Sequence, residues 1–195
     1  MARRDIVEAT NGELARILRE IGEYLEMEDV PFKPRAYEKA AEAVESLTEE
    51  ATEIYQKGGL KAIEAIPGIG VSIGEKIEEL IKTGRCVEYE KLKKKTPVQL
   101  AELSRIEGLG PKKIKKLYEK IGVATVADLA AAVQAGKIAK LEGFGAKSQD
   151  NIRKGIEFLK QSGSRLVISY FSMPSMRSSG QALMMSFFSA HPRRA

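Results

Sequence analysis

Ile66-Pro67-Gly68-Ile69-Gly70 is the first of three copies of one motif, and this repeat decides the fold. The second copy is Ile106-Glu107-Gly108-Leu109-Gly110, and the third is Leu141-Glu142-Gly143-Phe144-Gly145. Each copy reads apolar, any residue, glycine, apolar, glycine, and is followed by apolar residues at helical spacing, such as Ile73 and Ile77 after the first copy. The repeat predicts three hairpins, each leading directly into a helix.

The two glycines of each motif predict a turn that presents its backbone amides outward. Glycine has no Cβ, so it allows positive φ angles and the close approach of another molecule. The helix that follows begins with unpaired N–H groups and the positive end of its dipole at the same point. An anion is favoured there, and we expect a nucleic-acid phosphate that is bound without regard to base sequence. Because a single Gly-x-Gly is common, the prediction depends on the three copies together.

Lysines accompany the hairpins. Lys76, Lys113 and Lys147 each follow one copy, and Lys112 lies with further lysines around the second. A solvated helix face is the alternative interpretation of that cluster, but its position beside an anion site favours DNA. For the third copy a structural alternative stays open, because residues 146–148 could simply cap a helix.

The rest of the chain predicts an all-α fold. Thr10 and Glu13 form a capping box that starts the first helix, and a second helix starts near Pro34. A third is expected from Thr48 to the glycine pair at 58–59. The remaining helices between the motifs are Arg85–Lys95, Val98–Arg105 and Thr125–Gln134. Before Leu166 there is no sustained period-two alternation, so we expect no sheet.

Residues 162–195 differ in composition from everything before them. They contain four of the 32 basic residues and none of the 27 acidic ones, so residues 1–161 are nearly neutral and the net charge of +5 argues only weakly for DNA. Either this stretch is a disordered tail or it is read out of frame. We favour the second, because a solvated tail is normally poor in Phe and Met. We predict no fixed fold for it.

Cysteine and histidine usage excludes two kinds of site. The single cysteine, Cys86, cannot form an internal disulfide, and with the single histidine, His191, it cannot build a zinc cluster. Cys86 is therefore expected to be a small apolar packing residue. The sequence also contains no apolar run long enough to cross a bilayer and no secretory leader, which predicts a soluble protein.

The order of the motifs resembles the N-terminal region of the family X DNA polymerases. The resemblance is carried by residues 31–37 (Pro-Phe-Lys-Pro-Arg-Ala-Tyr), residues 66–77, the Thr83-Gly84 helix stop and residues 107–113. It covers residues 10–160, and bacterial and archaeal members carry a third hairpin like this one. It implies tandem helix-hairpin-helix motifs in two small helical subdomains. We expect a lyase-type domain over 1–84, a fingers-like domain over 85–161, and an unstructured tail over 162–195.

The resemblance implies a lyase lysine at Lys76. In the family, the first domain binds the 5′ phosphate of a gapped strand, and several members remove the abasic sugar there through a Schiff base on a lysine. The alternative is a surface lysine paired with Glu75 or Glu79. Where animal members have two further lysines, this chain has Ser72 and Glu88, which predicts weaker phosphate binding.

Three other residues match the positions that line the 5′-phosphate pocket in the family. They are Lys33, Tyr37 and Lys39. Together with the hairpin glycines and Lys112, Lys113 and Lys147, they make up the predicted DNA-binding set.

The resemblance further implies a monovalent cation, K⁺ or Na⁺, shared between a hairpin and a DNA phosphate. Its ligands would be main-chain carbonyls, those of Glu64, Ile66, Ile69, Ser104, Ile106 and Leu109. The requirement for magnesium is different, because nucleotide transfer needs paired carboxylates that hold the Mg²⁺ ions. The family places an Asp-x-Asp after a Gly-Ser, but no acidic residue follows Gly163-Ser164 here. We therefore expect Mg²⁺ and polymerase activity only in intact relatives.

These observations favour one function and leave two alternatives. The leading hypothesis is the DNA-binding part of a family X repair polymerase, truncated before the palm, that binds gapped, nicked or abasic DNA in base excision and gap-filling repair. The first alternative is a 5′-deoxyribose-phosphate lyase acting through Lys76. The second is a non-enzymatic helix-hairpin-helix DNA adaptor. In each case we expect a monomer without membrane partners, in the cytoplasm and associated with the nucleoid.

Overall fold

The structure is a computed structural model that describes residues 9–171. Every regular element in this range is a helix, as predicted. The α-helices are α1 Asn11–Met27, α2 Lys33–Glu45, α3 Ala51–Glu64, α4 Val71–Thr83, α5 Val87–Lys95, α6 Leu100–Leu103, α7 Pro111–Ile121, α8 Val126–Gln134 and α9 Ala146–Phe171. A single 3₁₀ turn, Ile138–Lys140, precedes the third hairpin. None of these helices is long and apolar enough to cross a membrane.

The predicted helix starts are confirmed where a cap defines them. The hydroxyl of Thr10 accepts a hydrogen bond from the amide of Glu13, whose carboxylate accepts one from the amide of Thr10. Thr125 and Asp128 form the same reciprocal pair at the start of α8. The hydrogen bonds that Asp128 accepts from the hydroxyl of Thr125 and from the amides of Ala124 and Thr125 hold its pKa below the usual range. Each box satisfies amides that the first turn of a helix leaves without partners.

The prediction that α3 ends at Gly58-Gly59 is wrong. The chain leaves helical geometry at Gly59, with φ 64° and ψ −156°, and then resumes the helix as far as Glu64. The glycine tolerates this left-handed conformation, while Ile63 beyond it is fully buried in the core. Glycine thus produces a kink here, because tertiary burial stabilises the turn that follows.

Two other helix boundaries differ from the prediction. The helix expected over residues 98–105 is reduced to α6, since the amide of Gln99 bonds instead to the carbonyl of Ala124 at 2.8 Å. At the other end, α9 continues to Phe171, although no fixed fold was predicted from Ser162 onward. Adding residues to an existing helix is easy, because its nucleus is already formed. The predictions for residues 172–195, including His191, lie outside the described residues.

Two clusters of buried apolar side chains support the hairpins. The first contains Leu18 of α1 and Ile77 of α4, together with Cys86, which is buried as predicted. The second gathers residues from α6 to α9. Tyr24 and Met27, at the end of α1, belong to this second cluster, so α1 contributes to both. By their internal contacts, the described residues up to Lys160 form one compact unit.

Candidate functional site

The three glycine motifs adopt one backbone structure. In each, the amide of the fourth residue donates a 3.0 Å hydrogen bond to the carbonyl of the first, from Ile69 to Ile66, from Leu109 to Ile106 and from Phe144 to Leu141. The first glycine of each copy has a positive φ, with 95° at Gly68, 77° at Gly108 and 82° at Gly143. The sequence repeat is therefore a structural repeat, and the predicted hairpins are confirmed.

The apolar residue between the glycines anchors each hairpin. Ile69, Leu109 and Phe144 are 4%, 2% and 5% exposed, respectively. Ile69 lies in the first buried cluster, and the other two lie in the second. Because these side chains point into the protein, the loop backbone on their other side faces outward.

Of the two roles predicted for the glycines, positive φ and close approach, the second glycine has no need of the first. Gly70 and Gly110 have negative φ angles of −91° and −77°, which any residue can adopt. A Cβ built on Gly70, Gly110 or Gly145 would meet no atom within 4 Å. The fold therefore has no internal need for glycine at this position. Its absent side chain leaves open the space in front of the helix that follows.

The helices that begin at this open space lack the acidic residues that would offset the positive end of a helix dipole. No side chain caps α4 at Gly70 or α7 at Gly110. The first turns of α4, α7 and α9 contain no acidic residue. The unpaired amides and the dipole of such a helix start attract an anion. Each hairpin thus has the geometry of an anion-binding site.

The lysines near the second hairpin point in different directions. The amine of Lys113 donates a 2.8 Å hydrogen bond to the carbonyl of Gly108 and so lies at the hairpin itself. The amine of Lys112 is 2.6 Å from the carboxylate of Asp29, and it holds the pKa of that carboxyl below its usual range. The amine of Lys115 bonds to the carbonyl of Met27 at 2.7 Å. The predicted cluster is therefore divided between the hairpin and the end of α1.

Two lysines lie beside the third hairpin, one ion-paired and one exposed. The amine of Lys116 on α7 is 3.7 Å from the carboxylate of Glu142, so α7 reaches towards this hairpin. Lys147 is exposed in the first turn of α9. The three lysines predicted to follow the motifs, at 76, 113 and 147, stand six, three and two residues after the second glycine of their copies and are not equivalent.

Lys76 is held in an ion pair that was not predicted. Its amine is 2.9 Å from the carboxylate of Glu88, and it also donates to the carbonyl and the hydroxyl of Ser72 at 3.2 and 3.4 Å. The expected partners Glu75 and Glu79 are wrong. The carboxylate of Glu79 accepts a hydrogen bond from the amide of Val87 at the start of α5, and α5 in turn brings Glu88 to Lys76.

The three predicted phosphate-pocket residues of α2 differ in exposure. Lys33 and Lys39 are exposed, whereas Tyr37 is only 3% exposed and belongs to the first buried cluster. Burial raises the pKa of Tyr37, and the negative charge of Glu88 adds to the rise. Behind the first hairpin, the carbonyl of Lys39 would lie 3.6 Å from a Cβ at Gly68. Helix α2 therefore backs this hairpin.

Phe32 is a surface residue that the sequence analysis did not select. It is 91% exposed and has a φ of 64°, and the amide of Lys33 bonds across it to the carbonyl of Pro31 at 2.7 Å. A phenylalanine with positive φ is uncommon and strained. The sequence feature that could have drawn attention to Phe32 is its position between Pro31 and Pro34. An exposed ring beside a lysine is suited to stacking on a nucleic-acid base.

Comparisons with known proteins identify the class and then the family. Residues 9–86 match the model of a helix-hairpin-helix domain, and residues 100–157 match that of a SAM-like helix-hairpin-helix tandem. The described region is thus a tandem helix-hairpin-helix protein. The chain is also 33% identical over 159 residues to DNA polymerase/3'-5' exonuclease PolX of Bacillus subtilis (strain 168).

These matches relate the chain to the N-terminal region of the family X DNA polymerases, the family that its motifs resemble. The similarity covers 81% of this chain and 27% of the Bacillus protein, so the chain spans about a quarter of the length of that relative. Together the findings support DNA binding in a polymerase-like protein.

Proposed function

We propose that this region binds DNA through its phosphates, at a gap or nick that presents a 5′ phosphate, as part of a family X polymerase in gap-filling repair. One observation carries the proposal. At each hairpin, the position that precedes the helix is a glycine that the fold does not require and whose missing Cβ would point into empty space. A phosphate that approaches the amides closely explains this choice of residue.

The repetition of the site favours a polymeric anion. A single helix start could bind any small anion, but these hairpins recur within one compact unit. A nucleic-acid strand offers phosphates at regular intervals, and contacts to them position a protein without reading the bases. A preference for a 5′ end is supported by lysines on the two helices beside the first hairpin, namely Lys33 and Lys39 of α2 and Lys76 of α4.

A monovalent cation is part of this proposal. Main-chain carbonyl oxygens are suitable ligands for a hard cation, and K⁺ or Na⁺ would be held by those of Glu64, Ile66 and Ile69 and, in the second hairpin, of Ser104, Ile106 and Leu109. The carbonyls of Ile66 and Ile106 each accept one amide hydrogen bond. Since a carbonyl has two lone pairs, each retains one for a cation. The ion would supply positive charge between the hairpin and the phosphate.

The direct test is a binding titration at several salt concentrations. We expect the protein, as a monomer, to bind gapped duplexes of unrelated sequence with similar Kd. The logarithm of the affinity should fall linearly with the logarithm of the salt concentration, with a slope of about 0.9 for each phosphate neutralised. Fluorescence anisotropy with labelled oligonucleotides measures both quantities. A folded protein that ignores DNA at low ionic strength would refute the proposal.

Lyase chemistry through Lys76 is a second candidate. It is favoured by an amine that is only 16% exposed yet lies on the helix that begins at the first hairpin. The ammonium would first have to lose a proton, for which the carboxylate of Glu88 is the neighbouring acceptor, and the neutral amine would then attack C1′ of the opened abasic sugar, with loss of water, to give an imine. Removal of a C2′ proton would then break the C3′–O bond and release the strand with its 5′ phosphate, and water would hydrolyse the imine.

Borohydride trapping tests this candidate. With DNA that carries a 5′ abasic sugar phosphate, reduction of the imine should link the protein covalently to the sugar. We expect Lys76→Ala to lose this product and Lys82→Ala, the same substitution on the same helix but outside the predicted DNA-binding set, to keep it. Absence of a trapped product from a protein that binds the same DNA would exclude the lyase and favour a non-enzymatic adaptor.

A further inference from the structure

The ammonium group of Lys76 has all its hydrogen-bonding capacity engaged inside the protein. A lysine amine carries three donors. Here its neighbours are the carboxylate of Glu88 at 2.9 Å and the carbonyl and hydroxyl oxygens of Ser72 at 3.2 and 3.4 Å. The Lys76 side chain is 16% exposed and that of Glu88 is 37% exposed. An incoming phosphate could bind this amine only by replacing one of these three oxygens.

Several contacts hold Glu88 in this position. Glu88 lies in the first turn of α5, where the helix dipole favours a negative charge. The start of α5 is fastened by Cys86, which is 1% exposed, and by the hydrogen bond from Val87 to Glu79. Displacing Glu88 from Lys76 would leave its carboxylate beside the phosphate and without the cation that it contacts now.

From this geometry we infer that Glu88 competes internally with a DNA 5′ phosphate for Lys76 and so sets how strongly the protein prefers phosphorylated ends. The inference rests on the proposed function, since it presupposes binding at a 5′ end. A carboxylate and a phosphate recognise an ammonium by the same charge-assisted hydrogen bonds. With Glu88 in place, the phosphate must break one such contact to form another. The preference for a 5′-phosphate over a 5′-hydroxyl end is therefore smaller than it would be with Lys76 unpaired.

Replacement of Glu88 by glutamine tests the inference. The side chain keeps its shape but loses its charge, so Lys76 becomes available to the phosphate. We expect the ratio of the Kd for a gapped duplex with a 5′ hydroxyl to the Kd for the same duplex with a 5′ phosphate to rise by roughly tenfold in Glu88→Gln. Adding Lys76→Ala to this variant should abolish the gain, because the two residues act as a coupled pair.

Glu90→Gln is the matched control. It removes the same charge from the same helix, two residues away, but its carboxylate pairs with Arg85 and not with Lys76. Any general gain in DNA affinity from the lost negative charge should appear in both variants and cancel in the ratio. We expect the ratio for Glu90→Gln to equal that of the unmodified protein.

The outcomes separate the inference from the proposal on which it rests. If folded Glu88→Gln binds both duplexes with the ratio of the unmodified protein, the competition is refuted while DNA binding stands. A ratio that rises equally in Glu90→Gln refutes it as well. If the unmodified protein binds neither duplex at low salt, the proposed function fails first. Circular dichroism melting of each variant establishes that the compared samples are folded.

Discussion

Gly110→Asp is expected to weaken binding of gapped DNA by roughly tenfold to a hundredfold while leaving the fold as stable as before or slightly more stable. Gly110 precedes α7 with φ −77° and ψ 169°, a conformation that aspartate adopts without strain. Aspartate is also among the best residues at the start of a helix. Its carboxylate would accept the amide hydrogen bonds that we assign to a DNA phosphate, and would repel that phosphate.

The matched control is Gly12→Asp, which adds the same charge near another helix start. A Cβ on Gly12 meets no atom within 4 Å, but α1 already has its capping box from Thr10 and is not part of a hairpin. The measurements are the Kd at moderate salt and the denaturation midpoint. Equal affinities for the two variants would contradict the hairpin mechanism. Gly108→Val is a poorer test, because Gly108 has a φ of 77° and valine would strain the turn itself.

Leu109→Ala is expected to lower the free energy of unfolding by about 2 to 5 kcal/mol. Leu109 is 2% exposed and packs in the second buried cluster, so truncating it removes apolar burial and leaves a cavity. The same side chain anchors the second hairpin, and we therefore expect DNA affinity to fall as well, even at temperatures where the variant remains folded. Urea denaturation and a DNA titration on the same sample measure the two effects.

Two further substitutions are controls for Leu109→Ala. Phe158→Ala removes a large apolar side chain that is 69% exposed and should change stability little. Leu109→Met keeps the buried volume and should restore most of the stability, with a loss below about 1.5 kcal/mol. A Leu109→Ala variant that is no less stable than Phe158→Ala would mean that the residue between the glycines does not anchor the hairpin.

Local patterns in the sequence were sufficient for the elements that depend on neighbouring residues. The capping boxes at Thr10 and Thr125 were predictable because both partners lie within three residues of each other. The hairpins were predictable because the positive-φ glycine and the buried residue beside it recur in register. These interactions need no knowledge of distant parts of the chain.

Predictions failed where a distant contact outweighed a local signal. The glycine pair at 58–59 predicts a stop, but burial of Ile63 continues the helix beyond it. Lys112 and Lys115 resemble a uniform basic cluster in sequence, yet the end of α1 attracts both. Neither partner can be found by reading along the chain, since it lies more than 80 residues away.

The sequence by itself determined that the described part of this protein is all-α and that it contains three hairpins of one design, because glycine position and apolar spacing act over a few residues. Only the tertiary structure decided that no part of the fold packs against the second glycine and that Lys76 is paired with Glu88. Both depend on which helices meet in space. Open space and ion pairs result from the packing of elements that are separate in sequence, so no local pattern specifies them.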